Sequence, residues 1–374
     1  MPASCPGARS TTSRGARFVR SIGRSVEAEY LLRSGWASAL TLPRDELRRR
    51  VRASVAGDSD RARERGATTQ GARLPQEAFE VIRAGLEIGP VLVQTPRAGY
   101  ATRLACDHCR TPATCTTCHG PLRVRAAGAA PECTWCGTAA SGWSCAECGG
   151  RGLRAPVLGD QRTAEELGRA FPSTPVRSSA GDKVLARVPD RPALVVATPG
   201  AEPVAAGGYA AVVLLDTWLL LARSDLRAAE EALRRWSNAT ALVAPPREGW
   251  IPRVLAVGDP GHPALQALVR GDAAGFAARE MAERQEAHLP PASRVATLTA
   301  APDVLETAVA ALRLPPGAEV LGPVPAADED ERLVVRVPRA AGAALSASLT
   351  ALQAQRSARK EPHVRVEVDP VALG

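Results

Sequence analysis

The chain has 374 residues, which leaves room for two or three domains with a buried core. Hydrophobic residues make up 45% of the sequence and aromatic residues only 3%, so that core must consist mainly of alanine, valine and leucine. The sequence shows neither an apolar signal segment at its start nor a stretch as long as a membrane span. This favours a cytoplasmic protein over a secreted or membrane-spanning one.

The excess positive charge is concentrated in the first sixth of the sequence. Lysine and arginine total 47 against 39 acidic residues, a net charge of +8, and fourteen arginines face seven acidic residues between Met1 and Gly66. We predict disorder over residues 1–15, short helices over 24–34 and 44–55, and a linker over 57–71. An amphipathic helix over 75–87 and an apolar strand over 90–94 follow, and the turn 96–100 leads into a cysteine-rich segment.

Eight of the nine cysteines occur as C-x-x-C pairs. The pairs are Cys106/Cys109, Cys115/Cys118, Cys133/Cys136 and Cys145/Cys148. Because two such turns supply the four thiolates of a tetrahedral zinc site, the segment predicts two structural Zn²⁺ ions per chain. A disulfide framework is the alternative, but it needs an oxidising compartment. His108 and His119 lie beside the pairs as candidate replacement ligands, and Cys5 is predicted to be an unpaired thiol.

Three pairings of the four turns satisfy two zinc sites. The gap between Cys118 and Cys133 is long enough for a β-hairpin, which favours a nested arrangement. In that arrangement zinc 1 is held by Cys106, Cys109, Cys145 and Cys148, and zinc 2 by Cys115, Cys118, Cys133 and Cys136. Sites closed by four cysteines leave no position for substrate, so we expect the metal to hold shape.

Short apolar strands alternate with helices after the cysteines, which predicts a parallel sheet with covering helices. We expect helices over 163–170, 225–236, 263–270 and 272–287, and strands over 193–198, 211–216 and 240–243. From residue 294 the predicted order is strand 294–299, helix 304–312, strands 318–321 and 332–337, helix 342–355 and strand 363–368. This βαββαβ order is typical of a small ferredoxin-like α+β domain.

The sequence lacks the motifs of a nucleotide hydrolase. A P-loop needs a lysine after a glycine-rich turn, and the two lysines of the chain, Lys183 and Lys360, do not occupy such a position. Asp216 ends an apolar strand, where a magnesium ligand can lie, but no phosphate-binding loop accompanies it. Five scattered histidines form no catalytic motif.

Several segments resemble the primosomal protein N′ (PriA) family of replication restart proteins in its actinobacterial form. They are RAGYATRLACDHCRTPATCTTCHGPL, LLDTWLLLARSDLRAAEEALRR, LPPASRVATL, VLGPVPA and VRVEVDPVAL, and the likeness extends over about residues 16–374. The resemblance implies a RecA-like second helicase lobe, an inserted module with two zinc sites in the nested pairing, and a C-terminal domain that helps to bind branched DNA.

The resemblance also implies the domain boundaries. Residues 1–66 correspond to a basic, partly disordered remnant of a first helicase lobe, residues 67–101 and 152–287 to the second lobe, 102–151 to the zinc module and 288–374 to the C-terminal domain. Family members carry further domains before this stretch, so we expect a truncated product, a mis-called start or one piece of a split gene. We also expect poor packing before about residue 67.

The chain departs from helicase-active relatives where they handle nucleotide. Asn238, Leu242 and Pro245 stand where those relatives carry arginine-finger motif residues, and the runs 197–199 and 205–209 lack the family's lysine. Loss of residues that stabilise charge on the transferred phosphate removes orders of magnitude of rate. The resemblance therefore implies a chain without helicase activity and with no need of ATP.

The leading hypothesis is a DNA-binding and scaffolding component of the restart primosome that recognises stalled forks and assists reloading of the replicative helicase. Its expected partners are branched or single-stranded DNA, single-stranded DNA-binding protein, primosome proteins, and the replicative helicase or its loader, in the nucleoid. The alternatives are an ATP-dependent 3′-5′ DNA helicase and a zinc-ribbon module that binds proteins alone. Candidate DNA contacts are Arg97, Arg103, Arg110, Arg123, Arg125, Arg151 and Arg154. Trp135 and Trp143 either stack on bases or cover a zinc turn, and covering is favoured.

Overall fold

The computed structural model describes residues 23–57, 73–97, 104–109, 111–124, 130–134, 136–154, 160–223, 225–326 and 329–370. These residues form two compact units. Unit 1 contains Gly23, Arg24 and the described residues of Leu40–Ala273, and unit 2 contains Ser25–Ala39 and those of Ala274–Gly374. The predictions for residues 1–15, for most of the linker and for most of the turn 96–100 lie outside the described residues.

Sixteen strands are present in the described part of the chain. They are β1 (Arg52–Val55), β2 (Val91–Gln94), β3 (Ala105–Cys106), β4 (Leu122–Arg123), β5 (Glu132–Cys133), β6 (Leu153–Arg154), β7 (Val176–Ser179), β8 (Arg187–Val188), β9 (Leu194–Ala197), β10 (Val204–Ala205), β11 (Ala211–Leu214), β12 (Arg253–Ala256), β13 (Ser293–Ala300), β14 (Glu319–Pro325), β15 (Glu331–Pro338) and β16 (Arg365–Val368).

Ten α-helices accompany them in the same ranges. They are α1 (Val26–Arg33), α2 (Arg44–Arg50), α3 (Gln76–Leu86), α4 (Asp160–Ala170), α5 (Thr217–Leu221), α6 (Ala228–Thr240), α7 (Pro263–Arg270), α8 (Ala273–Glu286), α9 (Pro302–Ala311) and α10 (Gly342–Ala358). None of the described helices combines the length and apolar character needed to span a bilayer.

A six-stranded sheet forms the core of unit 1, with strand order β1-β12-β11-β2-β9-β7 and every neighbouring pair parallel. All four residues of β2, of β9 and of β11 are buried, because helices cover a parallel sheet on both faces. The predicted parallel sheet is confirmed. Helices α3 and α4 supply the packing on one face, where the Phe79 and Phe171 rings stack with centroids 6.1 Å apart.

A glycine allows α3 to approach the sheet closely. A methyl group at Gly85 would lie 2.7 Å from a Val91 side-chain carbon and 2.9 Å from the Ala211 methyl. Both distances are shorter than carbon atoms tolerate. The bare backbone at Gly85 therefore sets how near the helix can lie to β2 and β11.

Two predicted elements of unit 1 are wrong. The helix expected over 44–55 ends at Arg50, and Arg52–Val55 instead pairs with Arg253–Ala256 as the edge strand β1. The strand expected over 240–243 is the end of α6 and the turn after it, and the strand follows ten residues later as β12. Strand β7 was not predicted. Strands β1 and β7 form because they pair with β12 and β9. The segment 240–243 instead continues the helix into a turn, with the N–H groups of Ala241 and Leu242 donating to the carbonyls of Ser237 and Ala239.

Unit 2 contains a four-stranded antiparallel sheet with strand order β14-β15-β13-β16. Helices α9 and α10 pack on one face, where Leu298, Leu305 and Leu349 are buried in a common cluster. The element order β13-α9-β14-β15-α10-β16 is the predicted βαββαβ order. Helix α1 also belongs to this unit, since Arg33 donates to the Ala278 carbonyl at 2.8 Å and the Arg339 guanidinium lies 4.5 Å from the centre of the Tyr30 ring.

Candidate metal centre

The eight cysteine side chains of the C-x-x-C pairs converge in two groups of four. Cys106, Cys109, Cys145 and Cys148 form group 1, and Cys115, Cys118, Cys133 and Cys136 form group 2. In each group all four sulfurs lie within 4.8 Å of one another. This is the grouping of the nested pairing. His108 and His119 are exposed beside the groups and belong to neither.

The sulfur spacing suits a tetrahedral ion. The Sγ atoms of Cys106 and Cys148 are 3.6 Å apart, and those of Cys109 and Cys145 are 3.4 Å apart. In group 2 the distances are 3.7 Å for Cys115–Cys136 and 3.4 Å for Cys118–Cys133. Four thiolates at about 2.3 Å from a central zinc would be about 3.8 Å from each other, so each group can hold one metal ion with little adjustment.

Two short antiparallel ladders bring the pairs together. Strand β4 pairs with β5, which closes the inner hairpin and places Cys118 near Cys133. Strand β3 pairs with β6 and joins the outer turns in the same way. Each C-x-x-C turn is closed identically, because the N–H of its first cysteine donates to the carbonyl five residues on. These bonds are Cys106–Thr111 at 2.9 Å, Cys115–Gly120 at 2.7 Å, Cys133–Thr138 at 2.9 Å and Cys145–Gly150 at 2.8 Å.

A small apolar core supports the two groups. Leu104, Leu122 and Trp143 are buried together with four of the cysteines. Trp143 is only 7% exposed, and its indole N–H donates to the Thr114 carbonyl at 2.9 Å. Trp143 therefore covers the turns and is not available to stack on a base. Trp135 lies outside the described residues.

The thiols differ in acidity before a metal binds. Hydrogen bonds from Thr111 lower the pKa of Cys109 to about 6, and those from Thr138 lower the pKa of Cys136 to about 6. For Cys118 a hydrogen bond with the Gly120 backbone lowers the pKa, but burial and the neighbouring thiols outweigh it and raise the value to about 12. A metal ion must displace these protons, so binding weakens as the pH falls.

The candidate DNA contacts occupy different surroundings. Arg97 donates to the Pro199 carbonyl at 3.3 Å, and Arg123 forms an ion pair with Glu132 at 2.9 Å. Arg151 is exposed and Arg154 is half-buried, both beside β6. Arg103, Arg110 and Arg125 lie outside the described residues.

Asp216 is engaged by an arginine that sequence reasoning missed. Asp216 is 7% exposed and lies two residues after β11, and its carboxylate accepts from Arg73 Nε at 2.9 Å. The same guanidinium donates to Glu166 at 3.1 Å and Thr163 at 2.5 Å on α4. Burial raises the pKa of Asp216, and Arg73 opposes the rise. Arg73 lies between the linker predicted over 57–71 and the helix predicted over 75–87, so no local pattern identified it.

The residues that stand in place of the family's arginine fingers lie on α6 and the turn after it. Asn238 is half-buried within the helix, and Leu242 accepts from the Tyr209 N–H at 2.9 Å through its carbonyl. Pro245 is exposed. The run 197–199 begins with the last residue of β9, and the run 205–209 begins with the last residue of β10.

The α/β unit carries two four-cysteine groups that can each hold a metal ion, and most of the α+β unit follows it in the sequence. These features define the class of candidate metal-binding proteins. Residues 285–371 match the family model of the primosomal protein N C-terminal domain. These residues, which belong to unit 2, are therefore similar to the C-terminal domain of primosomal proteins.

Particular relatives extend this match to nearly the whole chain. It is 43% identical over 391 aligned positions to the probable replication restart protein PriA of Mycobacterium bovis, and equally to that of Mycobacterium tuberculosis, covering 98% of this chain and 59% of each relative. The protein of the same name in Mycobacterium leprae is 44% identical over 382 positions, with 98% and 58% covered. The resemblance to replication restart proteins is confirmed, and the chain spans about three fifths of the length of these relatives.

Proposed function

We propose that the chain is a DNA-binding and scaffolding component of the replication restart primosome, which recognises stalled forks and assists reloading of the replicative helicase. The observation that carries this proposal is homology to named replication restart proteins over 98% of the chain. Its proposed partners are branched or single-stranded DNA, single-stranded DNA-binding protein, primosome proteins and the replicative helicase or its loader. It would act in the cytoplasm at the nucleoid.

Zinc is the proposed metal. Each group offers four thiolates at spacings close to those of a tetrahedral site, and Zn²⁺ prefers this donor set. Zinc 1 would be held by group 1 and zinc 2 by group 2. A zinc ion in such a closed site supplies a cross-link between two turns. The cysteines therefore fix the shape of the module. Metal analysis of the purified chain is expected to give two zinc ions, and a value near zero would contradict the proposal.

We infer a RecA-like second helicase lobe over 67–101 and 152–287, a zinc module over 102–151 and a remnant of the first lobe over 1–66. Within that remnant, β1 is joined to the sheet of the proposed second lobe through β12. For residues 288–374 we infer a ferredoxin-like domain. Support for the last comes from the strand order β14-β15-β13-β16 and from the two helices on one face.

We further infer that the chain is not an ATP-dependent helicase. The support is the replacement of the finger positions by Asn238, Leu242 and Pro245, together with the engagement of Asp216 by Arg73. Hydrolysis of ATP stimulated by fork DNA would overturn this inference and favour the helicase alternative.

The proposed DNA contacts are Arg97, Arg103, Arg110, Arg123, Arg125, Arg151 and Arg154. The test is fluorescence anisotropy of a labelled synthetic fork titrated with the zinc-loaded chain. Replacing both Arg151 and Arg154 by alanine is expected to weaken binding, because each contributes a guanidinium beside the metal module. Arg83→Ala, an exposed position on α3, is the matched control. Unaltered affinity in the double variant would remove these two residues from the interface.

A further inference from the structure

The four cysteine turns are of two kinds, and each candidate metal site contains one of each. In the turns that begin at Cys106 and Cys133, the residue five positions on is a threonine, Thr111 or Thr138. In the other two turns the same position is a glycine, Gly120 or Gly150. All four carbonyls at this position close their turns alike, so the difference lies in the threonine side chain.

Each threonine hydroxyl lies against the second cysteine of its own turn. Thr111 Oγ1 is 3.3 Å from Cys109 Sγ, and Thr138 Oγ1 is 3.1 Å from Cys136 Sγ. Both distances are within hydrogen-bond range for sulfur. A metal-bound thiolate has no proton, so the hydroxyl must be the donor in the loaded site.

These thiolates are the accessible ones of their turns. Cys106 and Cys133 are buried, whereas Cys109 is half-buried and Cys136 is exposed. A thiolate that solvent and small molecules can reach is the one at which a metal site is attacked. A donated hydrogen bond draws electron density from the sulfur and lowers its nucleophilicity.

We propose that Thr111 and Thr138 are positioning residues, one for each metal site, which hold and protect the exposed thiolates of Cys109 and Cys136 by donating hydrogen bonds to them. The glycine turns lack this donor. In group 1 attack therefore proceeds more readily at Cys148, the exposed second cysteine of the glycine turn. The inference rests on the proposed zinc sites.

The test is pulsed alkylation of the zinc-loaded full chain with iodoacetamide, followed by mass spectrometry of each cysteine. In this reaction the thiolate sulfur attacks the methylene carbon, a sulfur–carbon bond forms, the carbon–iodine bond breaks and iodide leaves. Thr111→Val is expected to raise the labelling rate of Cys109 about three- to tenfold, the range that the net strength of one hydrogen bond allows. Thr138→Val should do the same at Cys136.

The variants control one another. Thr111→Val should leave the labelling rate of Cys136 unchanged, and Thr138→Val should leave that of Cys109 unchanged. Thr111→Ser and Thr138→Ser keep the hydroxyl, so their cysteines should be labelled at the wild-type rate. Thr116→Val, at an exposed position in a glycine turn, is the matched control. Unchanged labelling in both valine variants, or equal acceleration in the serine variants, would overturn the proposal.

Zinc analysis before the pulse separates this inference from the proposed sites. Wild-type chain without two zinc ions would contradict the sites themselves. If a valine variant loses zinc while its serine counterpart keeps it, the hydroxyl is required and the proposal is supported. Loss of zinc in the valine variant and in its serine counterpart alike would show that the hydroxyl does not hold the site, and this would overturn the proposal.

Discussion

Replacing Arg73 by methionine should destabilise unit 1 by leaving a carboxylate without its partner. The Arg73 side chain is 18% exposed and that of Asp216 8%, so the pair is largely shielded from water. Breaking a buried ion pair by removing one partner costs about 3–5 kcal/mol. We expect a value near the lower limit, about 3 kcal/mol, because Arg73 retains some solvent access.

The stability lost in Arg73→Met should depend on pH in a defined direction. Burial raises the pKa of Asp216 and Arg73 opposes this, so the pKa rises further in Arg73→Met. Between the ordinary aspartate pKa and this raised value the folded state binds more protons than the unfolded state. The stability of the variant therefore falls as the pH rises through that window, and its deficit shrinks on acidification.

Hydrogen–deuterium exchange of the β11 peptide at increasing urea isolates this effect from unit 2. The expected loss of about 3 kcal/mol corresponds to an increase of about 100-fold in the opening equilibrium. Arg83→Ala on the exposed side of α3 is the control, and Arg73→Met combined with Asp216→Asn should recover most of the loss. The reasoning is refuted if Arg73→Met matches Arg83→Ala, or if the double variant is no more stable than Arg73→Met alone.

Three further perturbations test other contacts. His262 caps α7 by accepting a hydrogen bond from the Ala264 N–H at 3.2 Å, and burial lowers the pKa of the His262 imidazole. The stabilisation of α7 by this cap should therefore be lost as the pH falls below about 6.5, which hydrogen–deuterium exchange would show as faster exchange of the α7 amides. The variant His262→Asn should remove this pH dependence. Gly208→Ala should lower the urea midpoint of unit 1, because φ is +82° and the added methyl would lie 2.5 Å from the Ala244 backbone, while Gly249→Ala, at φ +73° in open space, should cost less. Leu122→Ala leaves a cavity in the core shared by both cysteine groups and should lower the free energy of unfolding by about 2–5 kcal/mol. Zinc transfer from both groups to a chelator should become faster in this variant, whereas the transfer rate should be unchanged in the control Thr116→Ala.

The features that the sequence predicted are those with a local origin. The C-x-x-C spacing is a property of single turns, and the length between Cys118 and Cys133 favoured the hairpin that β4 and β5 form. The amphipathic pattern of α3 and the βαββαβ order of unit 2 are likewise visible as periodicity along the chain.

The features that were missed depend on distant partners. Strand β1 exists because it pairs with β12, two hundred residues further along, and Arg73 matters because folding brings it to Asp216 and α4. The hydroxyls of Thr111 and Thr138 were overlooked for another reason. The repeat C-x-x-C-x-T is present in the sequence at both positions, but its meaning appears only when the turn places each hydroxyl on a sulfur.

Fork binding as a function of salt tests the central claim most directly. Each phosphate neutralised in duplex DNA contributes about −0.9 to the slope of log K against log salt concentration. If several of the proposed arginines contact phosphates, the zinc-loaded chain should bind a synthetic fork at low salt with a slope of about −3 or steeper. Absence of binding at low salt, or a slope near zero, would contradict a DNA-binding role and favour a module that contacts proteins alone.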